Sequence, residues 1–238
     1  IARKIQLSIL PARLPSRPGL RLHGSFLPME AVGGDFYDVS EDADGNPGVL
    51  IADVSGHGVA AALVSSMLKV CLSLHAGLSR EPGRLLEALN ETLYGKFSGQ
   101  FISAAFVHLD RSSGVFSYAH AGHPSLIRIN RKQSRAHEAR RGAGRVLGVY
   151  PGIQVDSFSE PFEAGDRLIL YTDGIIEARD ENGEFWGEDR FVRFLLDNRD
   201  AAPEMLADRL SQHLHQWIKP ALEFDDDITF VIVDVEAD

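Results

Sequence analysis

Six aspartates stand where the chain changes direction. Asp53 closes the apolar run Val49, Leu50, Ile51, Ala52 and precedes the glycine-broken turn Val54-Ser55-Gly56-His57-Gly58. Asp173 closes a second apolar run, and Asp226 and Asp227 open a third, Ile228–Val235. Asp35 and Asp38 lie in Gly33-Gly34-Asp35-Phe36-Tyr37-Asp38, ahead of an Asp44-Gly45 turn. The hairpin made by that turn brings Asp35 or Asp38 back beside Asp53. Carboxylates gathered in one place repel each other and stay protonated unless a cation neutralises them. An all-oxygen set without cysteine favours Mg²⁺ or Mn²⁺ over zinc. Two such ions about 3.5–4 Å apart share a water, lower its pKa and direct it at phosphorus. Any one of these aspartates is accounted for as a turn residue; the set is not.

Competing chemistries fail on context. Gly56-His57-Gly58-Val59-Ala60-Ala61 fits the G-x-G-x-x-A dinucleotide pattern between a strand and a helix. That pattern needs a second parallel strand bearing an acid roughly 20 residues on. The chain instead continues as helix into Glu81-Pro82-Gly83. Cys71 has Gly77 where a C-x5-R phosphatase needs arginine, and it sits in an apolar helix that disfavours thiolate. Ser55 lacks the G-x-S-x-G elbow.

The elements that position these acids follow from periodicity. Residues 2–10 space Ile5, Ile9 and Leu10 as a helix, ended by Pro11 and a stiff Pro15, Pro18, Gly19 linker. Strands are expected at 21–27, 49–52, 103–109, 115–120, 125–129, 167–172 and Ile228–Val235. Residues 59–74, apolar almost all round, read as a buried helix. Helices follow at 82–97, 188–196 and Pro203–Ile218, and 131–144 reads as a polar surface loop. Runs of strands and helices without regular βαβ alternation predict an antiparallel α+β fold.

Composition sets bounds on function. With 238 residues, 44% of them apolar, the chain can bury a substantial core. A net charge of −10 argues against nucleic acid as a partner and permits a carboxylate-rich site. One cysteine rules out an internal disulfide and fits a reducing, cytoplasmic setting. No run approaches the roughly 18 apolar residues of a membrane span, so no membrane contact is expected from this segment. Because the chain begins within a helix and without Met, upstream domains are expected, with room among them for a membrane anchor.

Five motifs in order carry a family resemblance: EAVGGDFYD (residues 30–38), DVSGHG (53–58), AGHP (121–124), LYTDG with IIEARD (170–180), and DDIT (226–229). Together they resemble the PPM metal-dependent serine/threonine phosphatases, in the bacterial RsbU/SpoIIE-type branch, over nearly the whole chain. The resemblance implies an α+β fold in which two antiparallel β-sheets form a sandwich flanked by helices, with metals at one edge. It implies residues 1–19 as the end of an N-terminal connecting helix plus linker and 20–238 as the phosphatase domain. It implies two Mn²⁺ or Mg²⁺ ions held by Asp35, Asp53, the Val54 carbonyl, Asp173 and Asp226, with Asp227 the alternate to Asp226. Asp38 holds a metal-bound water or caps a turn. His57 is a general acid for the leaving serine oxygen or a structural residue of its turn, and His123 reads as structural. Eukaryotic members carry a phosphate-holding arginine near the first motif. Here Ala31 and Val32 offer none, and only Arg13 and Arg17 lie upstream.

The implied function is hydrolysis of phosphoserine or phosphothreonine by a metal-activated water, on a phosphorylated protein such as an anti-sigma-factor antagonist in bacterial signalling. The rivals are a metal-dependent hydrolase of small phosphate esters and a catalytically silent binding module. Homodimerisation through the N-terminal helix is a further expectation. The 59–74 helix starts directly after the metal-binding turn, so with the 82–97 helix it forms a candidate switch set from upstream.

Overall fold

Period-two alternation sorts the strand residues of this protein between two cores. The computed structural model describes residues 1–11, 14–15, 17–97, 99–139, 144–218 and 224–237. In chain order these form α1 (Ala2–Ile9), β1 (Leu20–Leu27), β2 (Phe36–Glu41), β3 (Pro47–Val54), α2 (Gly58–Leu74), α3 (Pro82–Leu93), β4 (Ile102–Asp110), β5 (Val115–Ala121), β6 (Ile127–Asn130) and β7 (Arg135–Glu138). There follow β8 (Phe158–Pro161), β9 (Asp166–Tyr171), α4 (Glu188–Asp197), α5 (Pro203–Ile218) and β10 (Ile228–Val235). Two five-stranded sheets result, ordered β1-β10-β9-β6-β7 and β2-β3-β4-β5-β8, with every neighbouring pair antiparallel. The α+β sandwich expected from the motifs is the fold observed.

On β9 and β10, Leu168, Leu170, Val231 and Val233 turn into the core shared with the second sheet, α2 and α3. Their alternates, Ile169, Tyr171, Phe230 and Ile232, join α4 and α5 in the other core. Both faces of these strands are therefore apolar, which is why they read as continuous runs rather than as clean alternation. α1 packs on α2. Among the described residues, no helix is long and apolar enough to cross a membrane.

Three expectations need correction. The span 131–144 is not simply a loop, because β7 pairs with β6 along one edge of its sheet. Its Arg135, His137 and Glu138 are solvated side chains on a backbone-paired ribbon, a pattern that hydrophobic periodicity does not detect. Residues 140–143 of that span lie outside the described residues. The second helix ends at Leu93 rather than at residue 97, since Tyr94 leaves helical geometry and Gly95 follows with φ +69°. Finally, α2 is not buried all round. Ala61, Val64, Leu68 and Leu72 face the core, while Val59, Leu63, Val70 and Leu74 are 60–71% exposed. The helix is apolar on two faces, and one of them is open among the described residues.

Candidate metal centre

The β2–β3 register places the first two acids. Phe36 pairs with Ala52, so one step beyond that pair Asp35 stands across from Asp53 at the same end of the sheet. On the other sheet Tyr171 pairs with Phe230, which brings the turn bearing Asp173 beside the residues that lead into β10. Each sheet thus delivers two acids to one seam: Asp35 and Asp53 from one, Asp173 and Asp226 from the other.

The seam is laced by side chains that periodicity did not single out. Asp227 accepts hydrogen bonds from the backbone N–H groups of Met29 (2.7 Å), Gly34 (2.6 Å) and Asp35 (3.3 Å), clamping the first motif to the last. Among the described residues, Asp226 Oδ1 accepts only from its neighbour, the Asp227 N–H, at 2.8 Å. The two adjacent acids therefore differ: Asp227 is spent on three N–H groups in and just before the first motif, and Asp226 takes one local N–H at Oδ1. Thr172 donates to Asp35 Oδ2 at 2.8 Å. The glycine pair of the first motif is needed for close approach. A Cβ at Gly33 would lie 1.9 Å from the Asp227 carboxylate, and one at Gly34 would lie 2.5 Å from the Val54 carbonyl oxygen. Two helices grip the same glycines. Gln6 of α1 donates to the Gly33 carbonyl (2.6 Å) and accepts from its N–H (3.0 Å), while Ser65 of α2 donates to the Gly34 carbonyl (2.6 Å). Ser65 is a polar residue on the buried face of α2, whereas Gln6 is the one buried residue of α1 and carries no such signal in the sequence.

Electrostatics mark this seam as charge-starved. Burial, then the charge of Asp53, holds Asp35 well above the usual carboxylate range. Burial, with Asp173, Asp226, Asp227 and Glu177 adding repulsion, pushes Asp53 up to about 7. Burial likewise raises Asp226 to about 6, with Asp173, Asp227 and Glu177 contributing, and burial raises Asp173. Among the described residues these acids do not close into a finished cage of three or more ligands. They lie within electrostatic reach of one another rather than in ligand contact. The donor chemistry fits a hard divalent cation: all oxygen, strongly acidic, with no side-chain cation hydrogen-bonded to Asp35, Asp53, Asp173 or Asp226 among the described residues.

Other singled-out residues fall outside this set. Asp38 lies within β2 rather than at a turn, and its carboxylate takes Lys69 Nζ of α2 at 2.6 Å. His57 is an exposed residue at the start of α2, with Nδ1 3.0 Å from Glu30. His123 is buried, its Nδ1 2.8 Å from Ser103 Oγ, and Ser103 pairs across the sheet with Asp53. Burial, followed by His120, lowers His123 to about 3, so it is a neutral packing residue behind Asp53. Ser55 accepts the Phe101 N–H and is structural. Arg17 is bonded to Glu41 by two N–H groups, away from the acids, and Arg13 lies outside the described residues.

Similarity to known proteins agrees with this geometry. Residues 43–236 match the family Stage II sporulation protein E (SpoIIE). Phosphoserine phosphatase RsbU of Bacillus subtilis (strain 168) is 28% identical over 77% of this chain and 54% of its own length. The chain spans about half the length of the curated relatives it matches. The SiaA-PP2C domain of Pseudomonas aeruginosa superposes with a TM-score of 0.85 at 26% identity, covering 100% of this chain and 94% of that one. RsbX in complex with magnesium shares the fold, with a TM-score of 0.70 at 17% identity over 94% of this chain and 99% of that one. PPM phosphatases are metal-dependent. With a match over most of its length, this chain belongs to the SpoIIE family of PP2C-type (PPM) phosphatase domains.

Proposed function

We propose that this chain is a Mn²⁺- or Mg²⁺-dependent phosphoprotein phosphatase acting on phosphoserine or phosphothreonine. The observation that carries the reading is the convergence of Asp35, Asp53, Asp173 and Asp226 on one seam, where burial pushes all four carboxyls upward and neighbouring acids push Asp35, Asp53 and Asp226 further. In this reading the four carboxylates and the Val54 carbonyl hold two ions. Bound there, the ions neutralise the acids and supply a water of lowered pKa. The chain's own residues do the rest. Asp227 and Thr172 hold Asp35 in place, Ser103 and His123 back the strand bearing Asp53, and His57 protonates the leaving serine oxygen while Glu30 orients its ring.

Likeness to RsbU, named a phosphoserine phosphatase, supports phosphoserine as the residue acted on, and the substrate in this reading is a small phosphorylated anti-sigma-factor antagonist. Residues 1–19 serve as the end of a connecting helix and linker. The open face of α2, continued by exposed Ile5 of α1, is where a second copy would pair. The test is phosphate release from such a phosphoprotein with Mn²⁺, with Mg²⁺ and with chelator, beside free phosphoserine as competitor substrate. Asp53→Asn and Asp173→Asn should each abolish release while remaining folded. Wild-type-like turnover in both variants would sink the assignment.

A further inference from the structure

A phosphate monoester brings up to two negative charges to a seam already rich in carboxylates, and Arg17 is bonded to Glu41 rather than turned toward it. A cleft of about 590 Å³ opens beside the acids, between Met29 and Glu30, the turn from Arg179 to Gly183, and Phe224 and Asp225. Two walls connect it to the site: Asp225 precedes Asp226, and Glu30 carries His57 at 3.0 Å. Among the described residues, Arg179 is the one cation of that lining.

We propose that Arg179 is the phosphate-binding cation of this site, receiving the phosphoryl oxygens of a phosphate monoester at the mouth of the cleft. The proposal rests on the phosphatase reading above and adds to it the group that recognises the substrate's charge.

Geometry favours this role. The guanidinium lies 4.8 Å over the Phe185 ring, and residues 179 and 185 are joined by an antiparallel backbone bridge. A cation–π contact consumes no N–H donor, so the fork of the guanidinium stays available to a planar or tetrahedral oxyanion. Its acid neighbour, Asp225, stands 3.8 Å away, beyond hydrogen-bonding distance, and both side chains are more than half exposed. Such a pair is weak and yields readily to a doubly charged phosphate. Arg190, in the following helix, offers the contrast. Its N–H groups are taken by the carbonyls of Phe185 and Trp186 and by Glu184. Two further acids of the lining have partners of their own. Glu30 is engaged with His57, and Asp180 accepts the N–H groups of Asn182 and Glu184 in its own turn. The same stretch of chain ties Arg179 to the acid seam: Glu177, two residues before it, donates its N–H to the Asp173 carbonyl at 2.8 Å.

The test compares Arg179→Ala and Arg179→Lys with the unaltered chain in three measurements. Calorimetry of inorganic phosphate on the Mn²⁺-loaded chain should show at least tenfold weaker binding for Arg179→Ala and partial recovery for Arg179→Lys. Calorimetry of Mn²⁺ alone should give the same affinity in all three, within twofold. Steady-state kinetics on the phosphoprotein should show the loss mainly in KM. The proposal is overturned if the unaltered chain binds no phosphate, or if the alanine variant binds it as tightly. It is equally overturned if Mn²⁺ binding weakens in parallel, which would make Arg179 a support for Asp226 through Asp225. Arginine-dependent phosphate binding without phosphoprotein turnover upholds Arg179 and refutes the phosphatase reading. Normal turnover by Arg179→Ala does the reverse.

Discussion

Replacing Asp53 by asparagine should stabilise the metal-free protein, and the gain should depend on pH in a defined way. Burial and four neighbouring acids hold Asp53 at about 7 in the fold, against about 3.9 in an unfolded chain. Between those values the folded state keeps a proton that the unfolded state has released. Metal-free stability therefore falls as pH rises from about 4 to about 7 and levels off above. Three pK units correspond to roughly 4 kcal/mol at most. The repulsion is shared with Asp173 and Asp226, which relax when Asp53 loses its charge, so about half of that is the expected net gain. For a domain of this size, about 2 kcal/mol moves Tm by roughly 4–8 °C. Thermal unfolding in chelator should thus show Asp53→Asn above the unaltered chain at pH 8, with the gap closing toward pH 4. Saturating Mn²⁺ should reverse the order, because only the unaltered chain gains binding energy. A gap that stays constant from pH 4 to 8, or a variant less stable than the parent at pH 8 in chelator, would refute the reasoning.

Asp227→Ala strips the acceptor from three buried or half-buried N–H groups, so a loss of about 3 kcal/mol or more is expected. It should appear as a lower Tm both with chelator and with Mn²⁺. Lys69→Met leaves the buried Asp38 carboxylate unpaired, at a cost of about 3–5 kcal/mol, and adding Asp38→Leu should recover most of it in denaturant unfolding. Gln6→Ala frees both backbone groups of Gly33, and calorimetry should show Mn²⁺ affinity falling several-fold with little change in the far-ultraviolet circular dichroism.

The antiparallel α+β class and the acids at the strand ends were legible in the sequence because their signals are local, while the sandwich and the proposed ligand set follow from the resemblance that the five motifs carry. Apolar runs end in acids at 53 and 173 and begin after acids at 226 and 227, and glycine marks the turns that follow 53 and 173. What stayed hidden depends on partners far along the chain. Asp226 and Asp227 are equivalent as text, and only the three N–H groups from residues 29, 34 and 35 distinguish them. Asp38 looked like part of the acid cluster because Lys69, its partner, lies 31 residues on in an apolar helix. The short strand β7 stayed hidden because an edge ribbon with solvated side chains has no buried face to impose a period. The open face of α2 was invisible for the opposite reason: apolar residues look alike whether a helix core or only solvent lies over them.

The placement of Gln6 and Ser65 gives the site a consequence beyond its own chemistry. Both side chains hold the glycine pair immediately before Asp35, one from α1 and one from α2. Asp35 is in turn tied to the other sheet through Thr172 and Asp227. A displacement of α1 against α2 therefore acts on the backbone at one residue's remove from a proposed ligand. Linkage makes the effect reciprocal: if a rearrangement of the helices changes metal affinity by some factor, metal must bias the helices by the same factor. Physical connection alone does not establish two such arrangements. The apolar stripe Val59, Leu63, Val70 and Leu74 supplies a reason for a second one, because its exposure is unfavourable and any partner that covers it draws on α2 directly. In-register fusion of a dimeric coiled coil ahead of Ala2 should therefore lower the Mn²⁺ concentration needed for activity, in a manner that depends on helical phase. Equal metal dependence at every phase would reduce α1 and α2 to packing elements.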